Sequence, residues 1–303
     1  MRYRPFGQAG VSVSVIALTV DDRAGQAGAD ALTGLIYAAM EAGVNTFHIE
    51  SCEPEVLETI GQSLAAVERR LLFVSLRLGL RPGRTGLTRD FSPNALTDAI
   101  DQALARTGLG HLDLALLDEP GEEELPTTAL TALKQQRTTG RVSLLGVGGA
   151  HDAMDAYLGV RAFDVLASPH HLRTGWKEMN RLKAAARMDM GVIAYDYFPE
   201  TFRPTATPPG APVRKRGLFG AIAAAPEPDP LAGAGAYAFL HETNNWTAEE
   251  LCLAYALMEP SVSTVLIRAH EPERVAALAT VPDRDLPPGM AAQVEMARFG
   301  RAP

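Results

Sequence analysis

Short, unbroken apolar runs alternate along this chain with longer stretches in which apolar residues recur every three or four positions. The runs fall at 15–18, 46–48, 72–76, 112–117, 143–147, 165–167, 192–195 and 264–267. Their length and apolar continuity suit strands buried on both faces, as in a parallel sheet. Between them, 29–41, 54–66, 93–106, 128–136, 176–186 and 248–258 read as amphipathic helices. Pro54 and Pro93 suit first-turn positions, with Ser92 as the cap of the latter. Trp176 and Trp246 are expected to pack at helix starts. Ahead of this alternation, residues 3–15 read as a hairpin that turns through Gly7 to Gly10 and returns along Val11, Val13 and Val15.

Eight strands alternating with helices predict an α/β fold, a closed (β/α)8 TIM barrel with an N-terminal β-hairpin, as a single domain over 1–303. No Gly-x-Gly-x-x-Gly follows the first strand, which argues against a doubly wound dinucleotide fold. The rhythm breaks once, between about 199 and 233, where Pro204, Pro208, Pro209 and Pro212 cluster. That stretch reads as a long loop after strand seven, a lid or a plain insertion, on the face where barrels carry their sites.

Composition narrows the classes. With 303 residues, 47% of them apolar, the chain can bury a large core. A net charge of −8 excludes a general nucleic-acid binder, and Arg214-Lys215-Arg216 is too isolated a basic run to change that. Cys52 and Cys252 give neither a disulfide framework nor a metal-type spacing and suit a reducing compartment. The N-terminus lacks a signal-peptide core and no run approaches a membrane span, so a cytoplasmic protein is expected.

The densest chemistry lies in Thr46-Phe47-His48-Ile49-Glu50-Ser51-Cys52-Glu53, where a strand runs into a loop. Cys52 beside His48 admits a nucleophile reading, although a loop cysteine is more often inert. His170-His171 after strand six are either ligand contacts or a surface pair. A metal site from His48, Asp118 and His170 has no clustered ligand motif behind it, so no metal is expected.

Several segments, in order, resemble the aldo-keto reductases. They are Met1-Arg2-Tyr3-Arg4-Pro5-Phe6-Gly7 with Val11-Ser12-Val13-Ser14, Glu41-Ala42-Gly43-Val44-Asn45-Thr46-Phe47, and Leu112-Asp113-Leu114. Gly140-Arg141-Val142, Phe163-Asp164-Val165, Gly191-Val192-Ile193-Ala194-Tyr195 and Val262-Ser263-Thr264-Val265-Leu266-Ile267 continue the series. The resemblance implies hydride transfer from a nicotinamide cofactor to a carbonyl, served by an Asp, a Tyr five residues on, a Lys and a His after strands two to four. Those places here hold His48, Glu53, Arg77 and Asp118. Arg77 keeps a cation but cannot share its proton at working pH.

The cofactor places implied by the resemblance also differ. The Gly pair of strand one falls on Ala17 and Thr19, a Ser-Asn pair on Gly148-Gly149, and a Gln on Ala167. The stacking Tyr falls on Tyr195 or His170. Ser-Pro-Leu after strand seven becomes Asp196-Tyr197-Phe198, where a carboxylate would repel a pyrophosphate. The adenosine-phosphate places hold Arg268, His270, Arg274 and Leu278.

All four tetrad places hold ionisable residues, His48 and Arg77 set against Glu53 and Asp118. The expectation is therefore a barrel that has lost NADPH-dependent hydride transfer, uses no cofactor, and performs non-redox acid–base chemistry of dehydratase, isomerase or cyclase type on a small anionic substrate. His48 would be the acid/base, oriented by Asp118 or Glu53; Arg77 would clamp the anion, with His170, Tyr195 and Asp196 lining the substrate. The alternative is an NAD(P)H-dependent carbonyl oxidoreductase with an atypical tetrad, binding NADPH through Arg268, His270 and Arg274. A second alternative is a non-catalytic subunit of a larger complex; self-association or a partner protein stays open.

Overall fold

The computed structural model describes residues 1–83, 86–202 and 237–299. The proline cluster of the expected long loop lies outside the described residues. Two compact units are present, Met1–Tyr197 with Leu253–Asp285, and Phe198–Cys252 with Leu286–Pro303.

The first unit holds the barrel. Its strands are β3 (Ile16–Val20), β4 (Thr46–Ile49), β5 (Phe73–Leu78), β8 (Leu112–Asp118), β9 (Val142–Gly148), β10 (Val165–Pro169), β11 (Gly191–Tyr195) and β12 (Thr264–Ile267), closed in the order β10-β11-β12-β3-β4-β5-β8-β9. All pairs are parallel. Two hairpins lie outside the barrel: β1 (Tyr3–Pro5) with β2 (Ser12–Ser14), as expected, and β6 (Leu80–Gly83) with β7 (Gly86–Arg89), which the hydrophobic pattern did not reveal. The β7 strand is exposed along its length and so leaves no apolar signature in the sequence.

The helices are α1 (Asp22–Gly25), α2 (Ala29–Glu41), α3 (Pro54–Leu64), α4 (Pro93–Thr107), α5 (Thr127–Thr138), α6 (Ala153–Val160), α7 (Trp176–Arg187), α8 (Phe239–Glu242), α9 (Ala248–Met258), α10 (Pro272–Thr280) and α11 (Met290–Phe299). Pro54 and Pro93 occupy first turns, and the Ser92 hydroxyl accepts from the Ala95 N–H at 3.3 Å. Trp176 does start α7, but it is 79% exposed rather than packed. Among the described residues, no helix is long and apolar enough to cross a membrane. In the second unit, Phe202 stacks on Tyr237 at 4.8 Å and the Phe202 carbonyl meets His241 Nε2 at 3.0 Å.

Alternate residues of each barrel strand point inward. Ala17, Phe73, Leu114, Leu116, Val165, Ala167, Ile193 and Leu266 form one apolar core with Phe6. Phe6 comes from the turn after β1 and lies edge-on to Phe73, with ring centroids 4.8 Å apart. It closes the N-terminal floor of the barrel. Gly191 opens β11 beneath it because a Cβ there would stand 2.8 Å from the Phe6 ring. Phe6→Ala should therefore lower stability by about 3–5 kcal/mol, read as a reduced urea midpoint with an unchanged m-value.

Candidate functional site

Parallel register places Thr19, His48 and Ser75 side by side, Thr19 opposite His48 and His48 opposite Ser75. This buried polar row lies above the apolar core. His48 is 2% exposed, with Nδ1 at 2.7 Å from Ser75 Oγ and Nε2 at 3.7 Å from Glu50 Oε1. Ser75 Oγ also donates to the Phe47 carbonyl at 3.3 Å, so it stands between that carbonyl and His48 Nδ1. Burial, helped by the charges of Arg77 and Arg268 and opposed by Glu50, lowers the His48 pKa to about 4. His48 is therefore neutral at neutral pH. The Thr19 hydroxyl is buried without a hydrogen-bond partner.

One inward step further along the same strands come Asp21, Glu50 and Arg77; Asp118 lies one step beyond Leu116, the β8 residue opposite Arg77, and Arg268 lies beyond Leu266. Glu50 continues the ladder of β4 by donating its N–H to the Val20 carbonyl at 2.9 Å. Its carboxylate, 7% exposed, is the hub of the barrel mouth. Arg77 donates Nη1 to Glu50 Oε2 at 3.0 Å and Nη2 to the Glu50 carbonyl at 3.1 Å. Arg268 donates to both carboxylate oxygens, at 2.7 and 2.6 Å. Arg268 also lies 3.6 Å from Asp21, and His270 Nε2 lies 3.3 Å from the other Asp21 oxygen. Burial pushes the Glu50 carboxyl up, but the Arg268 hydrogen bond and the neighbouring cations outweigh it and hold the pKa below the usual carboxylate range.

Asp118 has the opposite fate. Burial, with Glu119 and Glu50 adding to it and Arg77 and Arg89 opposing, raises its pKa. Among the described residues its carboxyl makes no hydrogen bond or ion pair. Glu119 and Asp196, each following the end of a barrel strand, both have φ of +51°. Left-handed backbone at non-glycine residues is strained and concentrates at functional sites. Glu119 also accepts from the Ala150 N–H at 3.3 Å, and its charge acts on Tyr195. Burial, with the charges of Glu119, Asp118 and Asp196, pushes the Tyr195 phenol well above its ordinary value.

Of the residues expected in the site, the structure brings His48, Arg77, Asp118, Tyr195 and Arg268 to one mouth. His48 is oriented by Ser75 and Glu50, where Asp118 or Glu53 had been expected. Glu53 is exposed at the cap of α3 and lines a separate cavity of about 530 Å³ with Asp22, Pro54 and Glu55. Another cavity, of about 410 Å³, lies beside Phe6 at the floor. His170 is buried, its N–H donating to the Tyr195 carbonyl at 3.0 Å and its ring 5.9 Å from Tyr255. Asp196 follows Tyr195 in the loop after β11, and Arg274 sits in the first turn of α10. Burial and the charge of Asp22 push the Cys52 thiol up, which leaves it a poor nucleophile. No group of three or more His, Cys, Asp or Glu side chains suited to a metal occurs among the described residues.

Sequence reasoning missed Ser75 and left Glu50 without a role. The signal was the two-residue spacing: Glu50 lies two beyond His48, and Ser75 two before Arg77.

The His48 environment predicts acid lability. An unfolded chain takes up a proton there near pH 6.5, whereas the folded chain does so only near 4. Its contribution is full above pH 6.5 and falls by ~3 kcal/mol as pH drops through 4. Urea midpoints measured from pH 8 to 4 should decline over that window and flatten in His48→Gln. An equal decline in His48→Gln would place the cause elsewhere.

Residues 20–298 match the model of the aldo/keto reductase family. No curated protein matches the sequence. Among solved structures, the chain is similar to the holo form of aldo-keto reductase AKR11C1 from Bacillus halodurans, with TM-score 0.76, 15% identity, and coverage of 98% of this chain and 96% of that one. It is also similar to the glycerol dehydrogenase AKR11B4 from Gluconobacter oxydans, with TM-score 0.75, 18% identity, and coverage of 99% and 97%. The structural likeness concerns the fold; the family match bears on function. These findings overturn the expected non-redox, cofactor-free lyase or isomerase, since nothing in the family match separates this chain from the oxidoreductases, and they favour the oxidoreductase alternative. A closed parallel barrel with an active-face charge cluster, matched over residues 20–298, belongs to the aldo/keto reductase family.

Proposed function

We propose that this chain is an NAD(P)H-dependent carbonyl oxidoreductase whose proton donor is Asp118. The observation that carries the reading is the Asp118 carboxyl: half-buried, biased toward its protonated form, and without hydrogen bond or ion pair among the described residues. The mouth residues fit a nicotinamide dinucleotide. The buried Thr19 hydroxyl lacks a hydrogen-bond partner, and the guanidinium of Arg268 is half exposed at the rim. Tyr195, Arg268, His270 and Arg274 would hold the cofactor, which when bound supplies or accepts the hydride.

The chain's own residues then manage charge and the proton. Asp118 holds a proton on its carboxyl oxygen and delivers it to the carbonyl oxygen as negative charge develops there. Arg77, fixed by Glu50, adds positive potential beside that oxygen without being able to give up its proton. Neutral His48 braces Glu50 from below, and the charge of Glu119 acts on Tyr195.

Two measurements check this. Titration calorimetry with NADPH and NADP⁺ should give micromolar or tighter binding, and no binding up to millimolar concentration would sink the reading. Asp118→Asn should lower kcat for carbonyl reduction by about 100-fold while leaving the cofactor Kd unchanged.

A further inference from the structure

Arg77 sits on β5 between two carboxyl-bearing neighbours. Glu50 extends β4 on one side, and Asp118 ends β8 on the other. The register sets Arg77 opposite Leu116, so Asp118 is the next inward residue along the adjoining strand. Arg77 bonds only one of the two. Both arms of its guanidinium go to Glu50, one to the carboxylate and one to the main-chain carbonyl, which fixes the plane of the fork. Arg268 grips the same carboxylate bidentately from the other side and holds it in place.

We propose that Glu50 is a positioning residue that keeps Arg77 from pairing with Asp118, so that Asp118 stays available as the proton donor; this rests on the oxidoreductase reading above. The groups facing Asp118 are Arg77 from β5, Glu50 from the end of β4, Arg89 from β7, Tyr195 from β11, Arg268 after β12 and its own neighbour Glu119. Arg77 is the strongest opposing influence on the protonated form and already acts through space. A direct ion pair would strengthen that influence and lower the proton affinity of Asp118. Glu50 prevents this by offering Arg77 a carboxylate and a carbonyl at once. With Glu50 neutralised, Arg77 and Arg268 would be left as adjacent cations, and Asp118 would be the carboxyl beside Arg77 on the neighbouring strand.

The test is a double-mutant cycle read on Asp118 itself. Protein labelled with ¹³C at the aspartate carboxyls is titrated by NMR without cofactor, the Asp118 signal being assigned by its loss in Asp118→Asn. In Glu50→Gln the Asp118 midpoint should fall by about one pH unit, a tenfold loss of proton affinity. In the Arg77→Met background the same change should shift it much less, because the cation beside Asp118 on the neighbouring strand is gone. No fall in Glu50→Gln overturns the proposal. An equal fall in both backgrounds also overturns it, since Glu50 would then act only through its own charge.

If Glu50→Gln does not fold, Glu50→Asp serves the same comparison. It keeps the charge but draws it back by one methylene, so a smaller fall is expected, again absent with Arg77→Met; an equal fall in that background, or none, overturns the proposal. For the active protein, the basic limb of the kcat profile for reduction should move to lower pH in step with the NMR midpoint. Because the titration needs no cofactor, failure of NADPH turnover and failure of this inference give separate results.

Discussion

A carboxylate that is almost wholly buried must be paired, and Glu50 is paired on every side: Arg77 and Arg268 by hydrogen bonds, His48 at 3.7 Å. The same pairing answers the converse problem, two guanidinium groups brought to one barrel mouth. Through these contacts the ends of β4, β5 and β12 are held in fixed relation, and Asp21 joins the end of β3 to them through Arg268 and His270.

Below it the barrel is graded. Phe6 seals the floor and an apolar core fills the interior. Thr19, His48 and Ser75 then form a thin polar row, and the ionic ring lies above that. The gradient explains why His48 is neutral although it lies beside a carboxylate. Desolvation from the core below and positive potential from the ring above together outweigh Glu50.

Two carboxyls at one mouth are driven in opposite directions, Glu50 toward the ionised form and Asp118 toward the protonated form. Separation of this kind is how acid and anchor roles are divided between like groups. At the mouth of this barrel the carboxylate of Glu50 is bonded and that of Asp118 is not, among the described residues. The left-handed backbone at Glu119 and Asp196 is further strain gathered at the same mouth.

The barrel, its floor hairpin and the first-turn prolines were legible in the sequence because each rests on local pattern: apolar runs buried on both faces, helical periodicity, and residues with restricted φ. Asp113, part of one of the family-like segments, accepts from Arg69 and from the Val74 N–H at the base of β5. Through the family resemblance His48, Arg77 and Asp118 could be put forward as candidate site residues. Their partners could not. Sequence proximity suggested Glu53 for His48, but the chain turns outward into α3 there, while Ser75 from the next strand and Glu50 two residues on face the ring. The bond from Glu50 to Arg268 joins residues 218 apart. Such a contact depends on closure of the barrel and on the register of β12, β3 and β4, which is a property of the packed sheet and not of any one segment. Strand periodicity sets which side chains can turn toward the mouth; which of them pair is settled in the closed barrel, by distances across strands that the chain visits far apart.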